Sequence, residues 1–377
     1  MMTPVSRSRR TSLTSWTANS SFTSTRVFPS PSSLNTRLNE IYWLRAYGCL
    51  AVFTFHLITH IEDHFPAHVG LDIGRIPASL GTPVFIFISV VLFSTRYGEQ
   101  LPNGFLRRRL KYLLGPYLAF GLIYSTAEYL RLRGSGDDAG LLATWVDYLL
   151  FAGWHGYFLL LASQFYVLYW LLTQTSLLQW LGQTHVLLAS LGLAVAYWAL
   201  WTFLVDTPPG YVHWILPFGW LYLFVLGLWV RAPADDSARQ RSGLAPPSVG
   251  GWLPAAWLIA GLILVGLSLS GGLNYSSKEV WVAPFFVLSL LLALRLLQGR
   301  EPSGTVRWLN RYSFSIYLAH PMFFAIADAT GLPMRLPAWG YALTVGAFGL
   351  VGAVLLSELV NRQEWSAMLF GRQQRVS

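Results

Sequence analysis

The first long apolar stretch of the chain reads IYWLRAYGCLAVFTFHLITH from Ile41 to His60 and carries Arg45 and His56 within it. A helix of about 20 apolar residues is long enough to cross the hydrocarbon core of a bilayer. An ionisable side chain at that depth is disfavoured by about 2.5 to 3.5 kcal/mol on insertion scales, which makes both residues functional candidates. Helical geometry places them within about 20° of each other on one face and roughly 16 Å apart along the axis.

The composition extends this reasoning to the whole chain. Its 377 residues are 54% hydrophobic and only 11% charged, whereas about a quarter of the residues in soluble domains are charged. The formal net charge of +9 is typical of Lys and Arg in cytoplasmic loops, and we expect no nucleic-acid partner. The single cysteine, Cys49, cannot form an internal disulfide.

Apolar windows of about 20 residues recur about ten times along the chain. They predict an all-α fold, a polytopic membrane helix bundle of about ten transmembrane helices. The segment from Leu141 to Phe151 is too short to span and is predicted to lie at the membrane interface. The windows are residues 41–60, 76–95, 113–130, 155–173, 186–204, 212–230, 252–270, 279–298, 309–329 and 338–360.

The distribution of Lys and Arg predicts the orientation in the cell inner membrane. Most of the 26 basic residues fall on the side of the N-terminal segment, so both termini are expected to be cytoplasmic. Residues 1–36 are predicted to be a disordered basic tail, residues 37–361 the membrane domain, and residues 362–377 a second cytoplasmic tail. Arg45 then lies near the cytoplasmic end of its helix and His56 in the outer half. The opposite side carries Arg75, Arg131, Arg133, Lys278 and Arg335.

A basic cluster precedes the third apolar window. It contains Arg107, Arg108, Arg109 and Lys111. A guanidinium group can bind two phosphate oxygens at once, so the cluster could bind a phosphorylated ligand. Alternatively, it could anchor the helix to anionic lipid, and taken alone this second interpretation is favoured.

Two further sets of polar side chains lie within apolar windows. Ser313, Tyr317 and His320 recur at helical spacing on one face, and a polar stripe inside a membrane is favoured only where it faces the bundle interior. His155, Tyr157 and Gln164 combine aromatic and polar groups that would suit a sugar, although an aromatic belt also explains the tyrosine. The face between Arg45 and His56 is formed by small or modest residues, which could either pack helices closely or line a narrow slot.

Several motif classes are not found in the sequence. It has no glycine-rich phosphate loop, no Gly-x-Ser-x-Gly elbow and no recognised cluster of Cys and His of the metal-binding type, so no metal is predicted. No internal repeat is evident, which weakly disfavours a transporter built from inverted repeats.

Five segments resemble the acyltransferase 3 family of bacterial membrane proteins, in which the first span carries Arg, ten residues and then His. The resemblance covers the chain from about Leu38 to Leu356, and it is most similar to the branch found with exopolysaccharide and intercellular-adhesion loci. That branch is proposed to acylate polymers of the poly-N-acetylglucosamine type. The segments are residues 38–45, 81–89, 105–117, 155–169 and 312–321.

The resemblance implies an enzyme that transfers an acetyl or succinyl group from cytoplasmic acyl-CoA to a hydroxyl of an extracytoplasmic polysaccharide or its lipid-linked precursor. Arg45 and His56 are then the expected functional pair. Arg108 and Lys111 fall where the family has Arg-x-x-Arg, so that the second guanidinium is replaced by an ammonium group. Other exopolysaccharide synthesis proteins would be partners in the membrane.

Residues and resemblance together predict the site. His56 would act as the base or as a transient acyl carrier, since an imidazole exchanges protons near neutral pH. Arg45 or Tyr317 would steady the ligand or the developing oxyanion, and His320, at about the same depth as His56, is a further catalytic candidate. Arg107, Arg108, Arg109 and Lys111 would bind the coenzyme, and His155, Tyr157, Gln164 and Ser313 the acceptor. The alternative is a transporter or flippase for a polysaccharide or lipid-linked sugar.

Overall fold

The computed structural model describes residues 31–98, 100–137, 140–175, 177–205, 212–231, 250–273, 275–362 and 369–370, with side chains from residue 39 onward. Over these residues the chain is helical and contains no strand. The helices are α1 (Pro31–Glu62), α2 (Val69–Ala78), α3 (Gly81–Tyr97), α4 (Phe105–Gly134), α5 (Leu141–Leu150), α6 (Tyr157–Leu172), α7 (Leu177–Leu181), α8 (Thr184–Ala199), α9 (Val212–Ile215), α10 (Leu221–Arg231), α11 (Leu253–Leu269), α12 (Val282–Leu297), α13 (Gly304–Ala329) and α14 (Ala338–Val360). A π-helical turn (Leu200–Leu204) extends α8, and 3₁₀ turns (Pro217–Trp220 and Leu332–Met334) precede α10 and α14.

The helices are those of a membrane protein. Four helical segments are long and apolar enough to cross a bilayer by themselves: Asn39–Glu62, Val69–Tyr97, Thr184–Leu204 and Ala338–Val360. Every predicted apolar window falls on helical structure in the described part of the chain, either on these segments or on helices that are shorter or carry more charge. The helical membrane fold is therefore confirmed, while the count of about ten spans remains a prediction.

The predicted tails fall largely outside the described residues. Residues 1–30, most of residues 362–377 and the polar insert at 232–248 lie outside the residues that the structure describes. Helix α1 begins at Pro31, so residues 31–36 of the predicted N-terminal tail are helical. The short segment predicted to lie at the interface forms α5, which ends at Leu150.

Helix α1 is central because it packs against α2, α3, α13 and α14. Its contact with α3 depends on glycine: a Cβ atom at Gly81 would lie 2.6 Å from Val52 Cγ2 and 2.8 Å from the Val52 backbone nitrogen. On the side of α13, the buried Cys49 thiol lies 3.7 Å from the Ser313 carbonyl oxygen. The small residues between Arg45 and His56 therefore serve close helix packing, which was one of the two possibilities left open by the sequence.

Candidate active site

Three histidine side chains meet between α1, α13 and the loop before α6. His56 lies on α1, His320 on α13, and His155 in the loop. The imidazole centroids of His56 and His320 are 5.2 Å apart, those of His56 and His155 are 5.6 Å apart, and those of His155 and His320 are 5.7 Å apart. Two predicted catalytic residues and one predicted acceptor residue thus form one cluster.

The hydrogen bonds of His320 assign its tautomer. Its Nδ1 atom lies 2.7 Å from the Ile316 carbonyl oxygen. Because a carbonyl only accepts, Nδ1 carries the proton and Nε2 of the neutral ring carries the lone pair. The Nε2 atoms of His320 and His155 are buried and have no hydrogen-bond partner among the described residues. Buried polar atoms normally have partners, so these two nitrogens mark a place where a ligand hydroxyl could bind.

Proline and tyrosine residues hold the cluster in place. Pro321 has no N–H group, which frees the Tyr317 carbonyl of α13 from its helical donor, and the imidazoles of His155 and His320 both interact with the Tyr317 backbone. The Tyr317 hydroxyl donates to the His155 carbonyl oxygen, and the ring of Tyr124 lies 5.1 Å from that of His155. Tyr317 therefore positions His155 in this arrangement, rather than offering a free hydroxyl to an oxyanion as predicted.

Arg45 lies between α1 and α13 as well, but at a different position along the two helices from the histidine cluster. Its Nε atom donates to the Ser313 hydroxyl at 2.9 Å, and that hydroxyl donates to the Asn310 carbonyl oxygen at 3.0 Å. Arg45 is half-buried, and no carboxylate of the described residues lies within ion-pair distance of it. A charge enclosed without a counter-ion is costly and favours the binding of an anion. Ser313 thus belongs to the arginine level of the site, not to the histidine cluster.

The basic cluster divides into one inward and three outward cations. Arg107, Arg108 and Lys111 are exposed on α4. Arg109 instead donates to the Tyr97 hydroxyl at 2.6 Å and lies 5.9 Å from the Tyr166 ring centroid. The Tyr166 hydroxyl interacts electrostatically with both Arg109 and Arg45. Tyr166 therefore connects the surroundings of Arg109 with those of Arg45.

The predicted acceptor residues on α6 take different places. Gln164 Nε2 donates to the Ile215 carbonyl oxygen at 2.7 Å, which fixes the end of α9. The Tyr157 hydroxyl lies 3.4 Å from the Thr82 hydroxyl and 3.5 Å from that of Ser277. Within the described residues, His155 alone of the three joins the histidine cluster.

Lys278 is a further candidate for the site that the sequence analysis did not include. Its Nζ atom lies 3.3 Å from the Trp214 ring centroid and 4.6 Å from that of Tyr157, and its charge acts on His56. Burial lowers the pKa of Lys278 to about 7. Lys278 lies in the short segment between α11 and α12. A lone lysine in such a segment was the only feature of the sequence that could have indicated a functional role. It gives the histidine cluster a neighbouring cation whose charge changes near neutral pH.

Replacing Lys278 with methionine should remove one pH dependence of stability. The pKa is about 7 in the folded protein and 10.5 ordinarily, so between these values the unfolded state binds more protons and the free energy of unfolding rises with pH. We expect the unfolding temperature of the wild type, measured in detergent, to show this rise and K278M to lack it. The chain's other lysine provides the control, K111M, which should behave as the wild type. An unchanged pH dependence in K278M would contradict the burial argument.

Comparison with known proteins identifies the family. Residues 38–358 match the acyltransferase domain of the acyltransferase 3 family. A protein of Bacillus subtilis (strain 168) assigned as a membrane-bound acyltransferase is 26% identical in an alignment of 354 positions that covers 89% of this chain and 95% of that protein. A protein of Staphylococcus aureus (strain MRSA252) assigned as a poly-beta-1,6-N-acetyl-D-glucosamine export protein is 24% identical in an alignment of 306 positions that covers 75% of this chain and 81% of that protein. No solved structure gave a significant match.

The family match covers Arg45, His56, His155 and His320. It agrees with the resemblance inferred from the sequence motifs, including the similarity to proteins of polysaccharide export. The chain belongs to the acyltransferase 3 family of membrane proteins.

Proposed function

We propose that this protein is an O-acyltransferase that moves an acetyl or succinyl group from cytoplasmic acyl-CoA to a hydroxyl of an extracytoplasmic polysaccharide or its lipid-linked precursor. The observation that carries the proposal is the meeting of three imidazoles at one level of the helix pair α1 and α13, which at another level holds an arginine without a counter-ion among the described residues. The three imidazoles suit the hydroxyl of an acceptor, and the arginine suits an anionic donor. The test is mass spectrometry of the envelope glycan with and without the protein, in which loss of O-acyl groups is expected.

The topology proposed for this reaction has about ten spans in the inner membrane and both termini in the cytoplasm. It follows from the positive charge of the cytoplasmic loops and from the helical structure of every apolar window in the described residues. With this orientation, Arg45 and Arg109 lie on the donor side, while the histidine cluster and Lys278 lie on the acceptor side. Donor and acceptor thus approach from opposite faces of the membrane.

The donor would bind along the path from Arg109 to Arg45. The coenzyme carries phosphate groups, and guanidinium groups bind phosphate oxygens through charge-assisted hydrogen bonds. The thiol arm would then pass the level of Tyr317, whose ring lies 5.9 Å from that of Phe85 and 5.5 Å from that of Phe158. Aromatic rings of this kind suit an uncharged, partly apolar arm. The thioester carbonyl would arrive beside His56.

At the histidine cluster the reaction is a proton transfer coupled to acyl transfer. His56, which is half-buried, accepts the proton of the acceptor hydroxyl as its oxygen attacks the thioester carbonyl carbon. The new C–O bond forms, the C–S bond breaks, and the imidazolium returns the proton to the departing thiolate. The Nε2 atoms of His155 and His320 accept hydrogen bonds from neighbouring sugar hydroxyls. Lys278 supplies positive charge near the developing oxyanion.

Arg109→Ala is expected to raise the KM for acyl-CoA by about tenfold to a hundredfold, because a hydrogen bond to a charged group contributes about 1.5 to 3 kcal/mol. Arg108→Ala, at the exposed neighbouring position, is the matched comparison and should have a smaller effect. The measurement is initial rates of purified protein with varied acyl-CoA. If Arg108→Ala has the larger effect, the donor binds the outer surface of α4 and not the inward path.

A second candidate function is supported by the assignment of the staphylococcal relatives as export proteins. In that case the enclosed Arg and His residues would line the path of a polysaccharide or lipid-linked sugar. Flux of the polymer through purified protein without any acyl donor would favour this function. Acyl transfer to a soluble acceptor analogue would favour the enzyme.

A further inference from the structure

A second group of chemically active side chains lies beyond the histidine cluster, at the C-terminal ends of α1 and α13. His60 Nε2 and His64 Nε2 each lie 2.9 Å from the same carboxylate oxygen, Asp328 Oδ2. One ligand atom from each of the three residues lies within 4.8 Å of the other two. We propose that His60, His64 and Asp328 bind a divalent transition metal ion of the zinc class.

The chain brings these residues together at the ends of two packed helices. His60 lies in the last turn of α1, and His64 lies in the turn that directly follows the helix, where its N–H donates to the Ile61 carbonyl oxygen at 3.1 Å. Asp328 lies near the end of α13, which packs along the length of α1. Two imidazoles and a carboxylate are a common set of nitrogen and oxygen ligands for zinc.

Asp328 Oδ2 faces two imidazole nitrogens, and only His64 Nε2 forms a hydrogen bond with it, at 2.9 Å. His60 Nε2 is buried and, despite its closeness to the carboxylate, has no hydrogen-bond partner among the described residues. Zinc binds imidazole nitrogen at about 2.0 to 2.1 Å and carboxylate oxygen at about 2.0 to 2.2 Å, so tetrahedral ligand atoms lie roughly 3.4 Å apart. The observed 2.9 Å separations reach that value with movements of about 0.5 Å, and the three protein ligands leave a fourth position for water or a ligand hydroxyl.

The side chain of Tyr341 orients the Asp328 carboxylate. The Tyr341 hydroxyl donates to Asp328 Oδ1, which leaves Oδ2 for the ion, and such outer hydrogen bonds are usual around metal ligands. The ligand side chains are accessible, with exposed fractions of 18% for His60, 30% for His64 and 24% for Asp328. An ion could therefore enter from the surface of the helix bundle.

The proposed metal site is separate from the histidine cluster. The Phe324 ring lies between them, with centroid distances of 5.3 Å to His60 and 5.4 Å to His320. This ring is itself fixed by α14, because a Cβ atom at Gly349 would lie 2.3 Å from Phe324 Cε1. A bound ion would join α1 to α13, and through Tyr341 to α14, directly beyond His56.

The test is zinc binding by the full chain, purified without a histidine tag, stripped with chelator and dialysed against zinc chloride. Elemental analysis should give about one zinc per chain, and cobalt should give the visible spectrum of a tetrahedral site. D328N keeps the shape of the side chain and H64Q removes one imidazole, so each should weaken zinc binding by at least about tenfold. H185Q, on α8, is the matched control and should bind as the wild type.

Thermal unfolding gives an independent readout that needs no activity. A ligand that binds only the folded state raises its unfolding temperature, so zinc should stabilise the wild type and H185Q but not D328N. Zinc bound equally by the wild type, D328N and H64Q would lie elsewhere, for example in the histidine cluster, and would overturn the proposal. Failure of the wild type to bind zinc or cobalt would overturn it as well.

Discussion

His56→Ala is expected to lower acyl transfer by about a hundredfold to ten-thousandfold, the range that a positioned general acid–base group contributes. His56 is the half-buried member of the cluster that lies on the same helix as Arg45, with His155 and His320 at centroid distances of 5.6 and 5.2 Å. No other imidazole of the cluster occupies the same position relative to the donor path. The measurement is the turnover of purified protein with acyl-CoA and an acceptor sugar.

Two controls accompany the His56 variant. H185A removes an imidazole from α8, away from the site, and should retain wild-type turnover. The unfolding temperature of H56A should remain close to that of the wild type, since the imidazole of His56 has no carboxylate partner among the described residues. Wild-type turnover in H56A would remove His56 from the mechanism.

Arg45→Met should abolish donor binding without destabilising the fold, and this combination separates a functional arginine from a structural one. The guanidinium donates to Ser313 at 2.9 Å but has no counter-ion among the described residues. Removing a charge that is enclosed and unpaired relieves a desolvation cost, so the unfolding temperature should stay equal or rise. The loss in kcat/KM for acyl-CoA should be at least about a hundredfold, corresponding to roughly 2.7 kcal/mol.

Arg45→Lys sharpens the same test. Lysine keeps the charge but lacks the planar fork that binds phosphate oxygens in pairs. We expect R45K to recover only part of the lost kcat/KM, mostly through a lower KM for acyl-CoA. A variant R45M that is inactive because it unfolds, with R45K restoring both stability and full activity, would instead indicate a structural role.

The sequence predicted the helices well because membrane spans are defined by length and apolarity, which are local properties. It also predicted that His320 lies at about the depth of His56 on a polar stripe that faces the interior of a bundle, and the two rings are 5.2 Å apart. His155 was assigned to the acceptor by composition, and the contact of its ring with the other two depends on the loop before α6. Such a contact between distant segments has no periodic pattern in the sequence.

The same limit explains the residues that were placed differently or missed. Arg109 cannot be distinguished from Arg107 and Arg108 by composition, because only the rotation of α4 turns it towards Tyr166. Gln164 and Tyr317 have hydrogen bonds to backbone carbonyl oxygens, which depend on tertiary packing. The group of His60, His64 and Asp328 was not recognised, because the carboxylate lies on a helix far along the chain.

The most direct test of the central claim is acyl transfer across a sealed membrane. Purified protein is reconstituted in liposomes with the acceptor sugar enclosed, labelled acyl-CoA is added outside, and the enclosed sugar is analysed by mass spectrometry. We expect labelled O-acyl groups on the enclosed sugar with the wild type and none with H56A or R45M. Label confined to the side of the donor, or polymer crossing the membrane without any acyl donor, would contradict transfer through the path between Arg45 and His56.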